Sequence, residues 1–273
     1  MQEAAFKAVG LKAFYLALEM GLPGFRQVMK NRKRLSLAGF NVTVPYKEAA
    51  GRYLDHVTSE AKAIGAVNTV YQKGRAWWGT NTDVYGFLTS LREEGRMDPK
   101  GKRAIILGAG GSARAVVYGL ASRKASHILI ANRHEARAKK LAAEFKRLFR
   151  GTVFEPIPLE GKRLKPAIVS ADLIVNCTSV GLKPEEASVL APDWIPRASK
   201  KSKPLFYDLI YRPFRTKLLK TAEQKGYTVL NGAGMLVHQG AKSFEYWTGK
   251  KAPIVLMRKT LQAALQNKNS FNQ

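Results

Sequence analysis

LGAGGSARAV, residues 107–116, follows the apolar run RAIIL and leads into the helix-like run SARAVVYGLASR. Gly108, Gly110 and Ala113 stand in a G-x-G-x-x-A arrangement, with Gly111 beside the second glycine. Each position has a physical reason. The first glycine permits a tight turn, the second lets backbone approach a pyrophosphate, and the alanine lets the helix pack closely on its strand, with the helix N-terminus toward the phosphates. Strand, glycine turn and helix in that order predict the first unit of a dinucleotide-binding βαβ fold.

Working outward, HILIAN (127–132) reads as the next strand and EARAKKLAAEFKRLF (135–149) as the next helix. DLIVNCT (172–178) and PLFYDLIY (204–211) read as further strands. Repeated β-α-β with short turns predicts a parallel, doubly wound sheet. The second strand of such a unit commonly ends in an acid that holds a ribose hydroxyl. Here it ends in Asn132 and Arg133, with Arg137 one helical turn on. Guanidinium groups there suit a 2′-phosphate, which points to NADP rather than NAD; the alternative is two exposed arginines on a basic protein. NCTSVGL places Asn176, Thr178 and Gly181 at the carboxyl end of a strand, where ligands sit in open α/β sheets, although ordinary turn residues would look the same.

Upstream, strand-like runs (AFYLALEM, GFNVTVP, AVNTVYQK, RAWWGTNTD) alternate with helix-like ones (EAAFKAVG, FRQVMKNRKR, SEAKAIG). The polar stretch after Gly95 in YGFLTSLREEGRMDPKGK marks the expected boundary between the two cycles. The organisation expected is an α/β fold of two domains with a cleft between them. An N-terminal α/β substrate domain covers 1–87, a Rossmann-type doubly wound NADP-binding domain covers 88–237, and C-terminal helices at 238–273 return to the first domain. The final NKNSFNQ is expected to be a disordered tail.

The chain has 273 residues, 45% of them hydrophobic, enough to bury real cores. No apolar run is long enough to span a membrane, and the N-terminus lacks the layout of a secretory signal, so a cytoplasmic location is expected. One cysteine and four scattered histidines give no disulfide and no metal site. Lysine and arginine number 46 against 20 acids, a formal +26. Such a field attracts anions, but the densest cluster, KNRKR (30–34), has no interleaved aromatics and the rest of the charge is dispersed. Anionic small molecules are therefore expected as partners, with no specific nucleic acid and no membrane, on a monomer or homodimer.

Lys47 ends NVTVPYK and Asp83 ends WWGTNTD, each after a run of strand character. If both strands run parallel in one sheet, their carboxyl ends share an edge, and residues 36 apart can face one pocket. An ammonium beside a carboxylate is a proton donor held in place.

In order along the chain, NVTVPYK, AIGAVNT, GTNTDVYG, GAGGSARA, NRHEAR, NCTSVG, YDLIY and NGAGMLVHQGAKSFEYWTG resemble the motifs of shikimate dehydrogenases, over nearly the whole length. The resemblance implies NADP-dependent reduction of 3-dehydroshikimate to shikimate, on the route to chorismate and the aromatic amino acids. It implies Lys47 and Asp83 as catalytic pair, and Thr43, Asn68, Asp83, Tyr211 and Gln239 as substrate contacts. Gly108, Gly110, Gly111, Ala113, Asn132, Arg133, Arg137, Thr178 and Gly232 match cofactor positions. His134, Arg212 and Leu182 depart from the family's usual Thr, Asn and Met. The chain also begins after the point where members carry a strand and a serine-bearing loop that grips substrate. Two readings follow, a misassigned start or a truncated, weak enzyme. The alternatives implied are a quinate/shikimate dehydrogenase paralogue, or a catalytically weak basic protein that binds nucleotide or nucleic acid.

Overall fold

The computed structural model describes residues 1–183, 188–199 and 203–267. Of the expected tail at 267–273, Asn267 closes the last helix and the remainder lies outside the described residues. The chain forms two compact units, one of Met1–Gly86 with the stretch from Val237 onward, the other Phe87–Leu236.

In the first unit, helices α1 (Gln2–Ala8) and α2 (Leu22–Asn31) precede strand β1 (Gly39–Asn41) and the four-residue helix α3 (Lys47–Ala50). Strand β2 (His56–Val57), helix α4 (Ser59–Ile64), strands β3 (Thr69–Lys73) and β4 (Ala76–Thr80) and helix α5 (Asp83–Glu93) follow. Local chemistry sets the limits of α4. The Thr58 hydroxyl accepts from Ala61 N–H at its start, and Gly65 ends it in the left-handed conformation at φ 73°. The sheet order is β1-β3-β4-β2. β3 is antiparallel to both β1 and β4, so β1 and β4 run parallel with β3 between them. Phe25, Met29, Val42, Val67, Val70 and Trp77 build its core.

AFYLALEM does not form the expected strand. Residues 11–21 belong to no helix or strand, and Phe14, Leu16 and Leu18 are 87%, 74% and 70% exposed. Alternation alone does not make a strand, because the backbone needs a ladder partner; β1, at the sheet's edge, pairs with β3.

The second unit carries β5 (Arg103–Leu107), α6 (Gly111–Ser122), β6 (His127–Asn132), α7 (Glu135–Leu148), β7 (Val153–Pro158), α8 (Gly161–Ser170), β8 (Leu173–Asn176), β9 (Leu205–Asp208), α9 (Lys217–Gln224) and β10 (Val229–Leu230). Helix α10 (Ala233–Thr248) begins here and continues into the first unit, where α11 (Ile254–Asn267) lies. The six strands are all parallel, in the order β10-β9-β8-β5-β6-β7. Their side chains alternate between two cores. Ala104 and Ile106 of β5 join the core with α6 and α7, while Ile105 and Leu107 join Leu164 and Ile168 of α8 and Leu218 and Leu219 of α9. A sheet buried on both faces is apolar at nearly every position, which is why RAIIL, HILIAN and LIVN stand out in the sequence. The fold is α/β, with a smaller mixed sheet in the first unit and a Rossmann-type doubly wound sheet in the second.

Candidate active site

The lysine does not sit at a strand end. β1 stops at Asn41, Val42 N–H makes a last bond to Asn68 O at 2.8 Å, and Pro45 has no N–H to carry the ladder further. Tyr46 N–H then bonds Thr43 O, the Ala49 and Ala50 amides bond Tyr46 O, and Lys47 opens α3. Asp83 likewise opens α5, after Asn81 Oδ1 has accepted from Asp83 N–H at 3.0 Å. Because β1 and β4 are parallel, both turns leave the same edge of the sheet.

The structure brings the two charges together. Lys47 Nζ donates to Asp83 Oδ2 at 2.7 Å, with side chains 12% and 5% exposed. Asn68 Nδ2 donates to Asp83 Oδ1 at 2.8 Å, so both carboxylate oxygens act as acceptors. Gln239, on α10, places Oε1 3.4 Å from Asn68 Nδ2. Thr43 is exposed on the turn before α3. Tyr211 belongs to the second unit, 39% exposed on the loop after β9.

Behind Asn68 lies a cluster of hydroxyls that the sequence reading missed. Thr69 Oγ1 donates to Asn68 Oδ1 at 2.9 Å, and Ser243 Oγ lies 2.8 Å from Thr69 Oγ1 and 3.2 Å from Thr82 Oγ1. Ser243 also donates to Gln239 O, and Asn41 Nδ2 donates to Ser243 Oγ. The one linear signal for it is the i, i+4 spacing of Gln239 and Ser243, which puts both on one face of a helix.

In the second unit, β5 and β8 mark the point where the strand order reverses, and the turns after both meet there. Gly108 has φ +112°, and a Cβ on it would press on Thr178 Cγ2 and the Cys177 backbone. A glycine is required there on both counts. Gly110 caps α6 with extended backbone and no side-chain cap, and the space where its Cβ would lie is open. The first N–H groups of α6, starting at Gly111, face this open space and suit a pyrophosphate. Ala113 is fully buried against the sheet. Asn132 Nδ2 donates to His134 O at 2.9 Å, holding the turn that carries exposed Arg133 into α7, where Arg137 is also exposed. Gly232 donates its N–H to Ile210 O at 3.1 Å. Asn176 is fully buried with its amide donating to Asp208 and Val180, so it supports the turn from within, while Thr178 is half-buried. This donor set fits a dinucleotide carrying an extra phosphate.

Family models match along the chain. The shikimate dehydrogenase substrate binding domain matches residues 1–70, shikimate / quinate 5-dehydrogenase residues 91–211, and the shikimate 5'-dehydrogenase C-terminal domain residues 232–262. The chain is 42% identical over 262 residues to shikimate dehydrogenase (NADP(+)) of Methanopyrus kandleri, covering 96% of this chain and 89% of that one. It belongs to the shikimate dehydrogenase family. Another member of this family, shikimate dehydrogenase (NADP(+)) of Moorella thermoacetica, is 41% identical, with 97% of this chain and 88% of that one covered. Among solved structures, shikimate 5-dehydrogenase of Thermus thermophilus in complex with NADP(H) and shikimate is 36% identical. Its TM-score is 0.81, with 96% of this chain and 92% of that one covered. No helix among the described residues is long and apolar enough to cross a membrane.

Proposed function

We propose that this chain catalyses the reversible, NADP-dependent reduction of 3-dehydroshikimate to shikimate. The observation that carries the reading is the contact of Lys47 Nζ with Asp83 Oδ2 at 2.7 Å, on an aspartate whose other oxygen is taken by Asn68. NADPH, when bound by the glycine turn, Asn132, Arg133, Arg137, Thr178 and Gly232, supplies the hydride. As the ketone oxygen gains negative charge, the Lys47 ammonium stabilises it and donates its proton; in the oxidative direction the neutral amine takes the proton back. Asp83 keeps the ammonium aimed and, as an acceptor, holds a substrate hydroxyl. Asn68, Gln239, Thr43 and Tyr211 complete recognition of the hydroxyls and carboxylate, and the positive field draws both anions in.

The protein works in the cytoplasm as a monomer or homodimer, without specific nucleic acid. Following NADPH absorbance with 3-dehydroshikimate, and with quinate and NADP in the reverse assay, tests the reading. Turnover of the shikimate pair is expected, and a protein that consumes no NADPH overturns it.

A further inference from the structure

Among the described residues of the second unit, the most buried carboxyl takes no part in this chemistry. Asp208 ends β9 and Asn176 ends β8, directly across the ladder from it, and both are fully buried. Asp208 Oδ1 accepts from Asn176 Nδ2 and from Ile210 N–H, each at 3.0 Å, and Oδ2 accepts from the Thr216 hydroxyl at 2.7 Å. All three donors are neutral. Burial pushes the carboxyl up to about 6 against the pull of those bonds. A carboxyl kept in such surroundings is expensive, and an apolar residue would fill the space at lower cost.

What the two oxygens hold together explains their presence. Asn176, fixed by Asp208, uses its own Oδ1 to accept Thr178 N–H at 3.0 Å and the Thr178 hydroxyl at 2.7 Å, which sets the loop after β8. Ile210, fixed through its N–H, leads directly into Tyr211. Its carbonyl accepts Gly232 N–H, and a Cβ on Gly232 would collide with the Leu209 carbonyl. Thr216, made a donor by Oδ2, keeps an acceptor site for Leu219 N–H and so caps α9. Gly181 of the first loop lies 3.5 Å from Ile210 and 3.6 Å from Thr216, measured from where its Cβ would be. One side chain thus ties the loops after β8 and β9, and through Ile210 the turn after β10.

We infer that Asp208 is a positioning residue for the reaction, registering the loop that carries Thr178 against the loop that carries Tyr211 from beneath the sheet's carboxyl edge. The inference rests on the proposed reading that Thr178 meets the cofactor and Tyr211 the substrate.

Asp208→Ala, Asp208→Asn and Asn176→Ala are compared with the parent, using NADPH fluorescence titration for Kd, steady-state kinetics for kcat and KM, and urea denaturation for the folded fraction. Asp208→Ala is expected to raise the NADPH Kd and the KM for 3-dehydroshikimate at least tenfold, with a smaller change in kcat. Asp208→Asn keeps one acceptor for Asn176 and Ile210 and can donate to Thr216, so it is expected to recover most of that loss. Asn176→Ala is expected to weaken NADPH binding several-fold through Thr178. Parental Kd and KM on folded Asp208→Ala protein overturn the inference, as does Asp208→Asn being equally impaired. If Asp208→Ala yields no folded protein, Asn176→Ala decides, and an unchanged NADPH Kd in it overturns the inference. A parent that binds NADPH but turns over no 3-dehydroshikimate fails the proposed function instead, and the Kd comparison still stands.

Discussion

Thr82 donates its backbone N–H to Asn68 Oδ1 at 2.8 Å, and this bond decides which way the Asn68 amide faces. A backbone N–H can only donate, so the oxygen must turn to Thr82 and the NH₂ to Asp83. Replacing Asn68 by Asp keeps the shape and the Thr82 bond but sets a second carboxylate against Asp83. Two carboxylates at that range share a proton. Asn68→Asp is expected to lose at least about 100-fold in kcat at pH 8 and to regain part of it as the pH falls. A pH–rate profile parallel to that of the parent would show that the amide does not act through Asp83.

Lys47→Ala removes the proposed acid and is expected to lower kcat by about 10²- to 10⁴-fold, the usual range for general acid catalysis. Lys47→Arg keeps the charge but holds its proton too tightly to pass it on. If stopped-flow and steady-state rates show Arg restoring parental turnover, charge alone is the role of the lysine.

Arg133, just after β6, and Arg137, near the start of α7, both stand exposed. Hydrogen bonds to a charged phosphate contribute about 1.5–3 kcal/mol each, so the double Ala variant, losing two of them, should lose about 10²- to 10⁴-fold in preference for NADPH over NADH. The ratio of kcat/KM values for the two cofactors reads this directly, and an unchanged ratio would remove both arginines from cofactor selection.

Asp208 also has a signature in stability. Its carboxyl titrates at about 6 in the fold against an ordinary 3.8, so the folded state binds the proton more tightly than the unfolded chain does. The contribution is favourable below pH 3.8 and is lost as the pH rises through about 6, a difference of ~3 kcal/mol at most. Asp208→Asn carries no such penalty. It is expected to melt above the parent at pH 8, with the gap closing toward pH 4 in a series of thermal melts. A gap that does not change with pH would mean that the carboxyl titrates near its ordinary value.

The glycine turn and the strands around it were legible because a parallel sheet buried on both faces writes unbroken apolar runs into the chain, and RAIIL, HILIAN and LIVN are such runs. β7 was not, since VFEPIP carries two prolines, which break the strand pattern; it sits at the sheet's edge, where proline is tolerated. β2 is two residues long, too short for any period to show. Lys47 and Asp83 could be paired from sequence because the turns that carry them leave parallel strands. That each opens a helix depended on turn bonds made after Asn41 and Thr80. Thr69, Thr82 and Ser243 come from three separate segments, and only folding gathers their hydroxyls around Asn68.

Phe14, Leu16 and Leu18 leave a greasy ribbon on a molecule whose formal charge is +26. In dilute buffer, mutual repulsion keeps such ribbons apart. The screening length shrinks from about 10 Å at 0.1 M salt to about 3 Å at 1 M, while oily contacts between molecules are untouched or strengthened. Ionic strength thereby becomes the control on how long this protein stays dispersed, and concentrated salt is the condition under which it should cloud first.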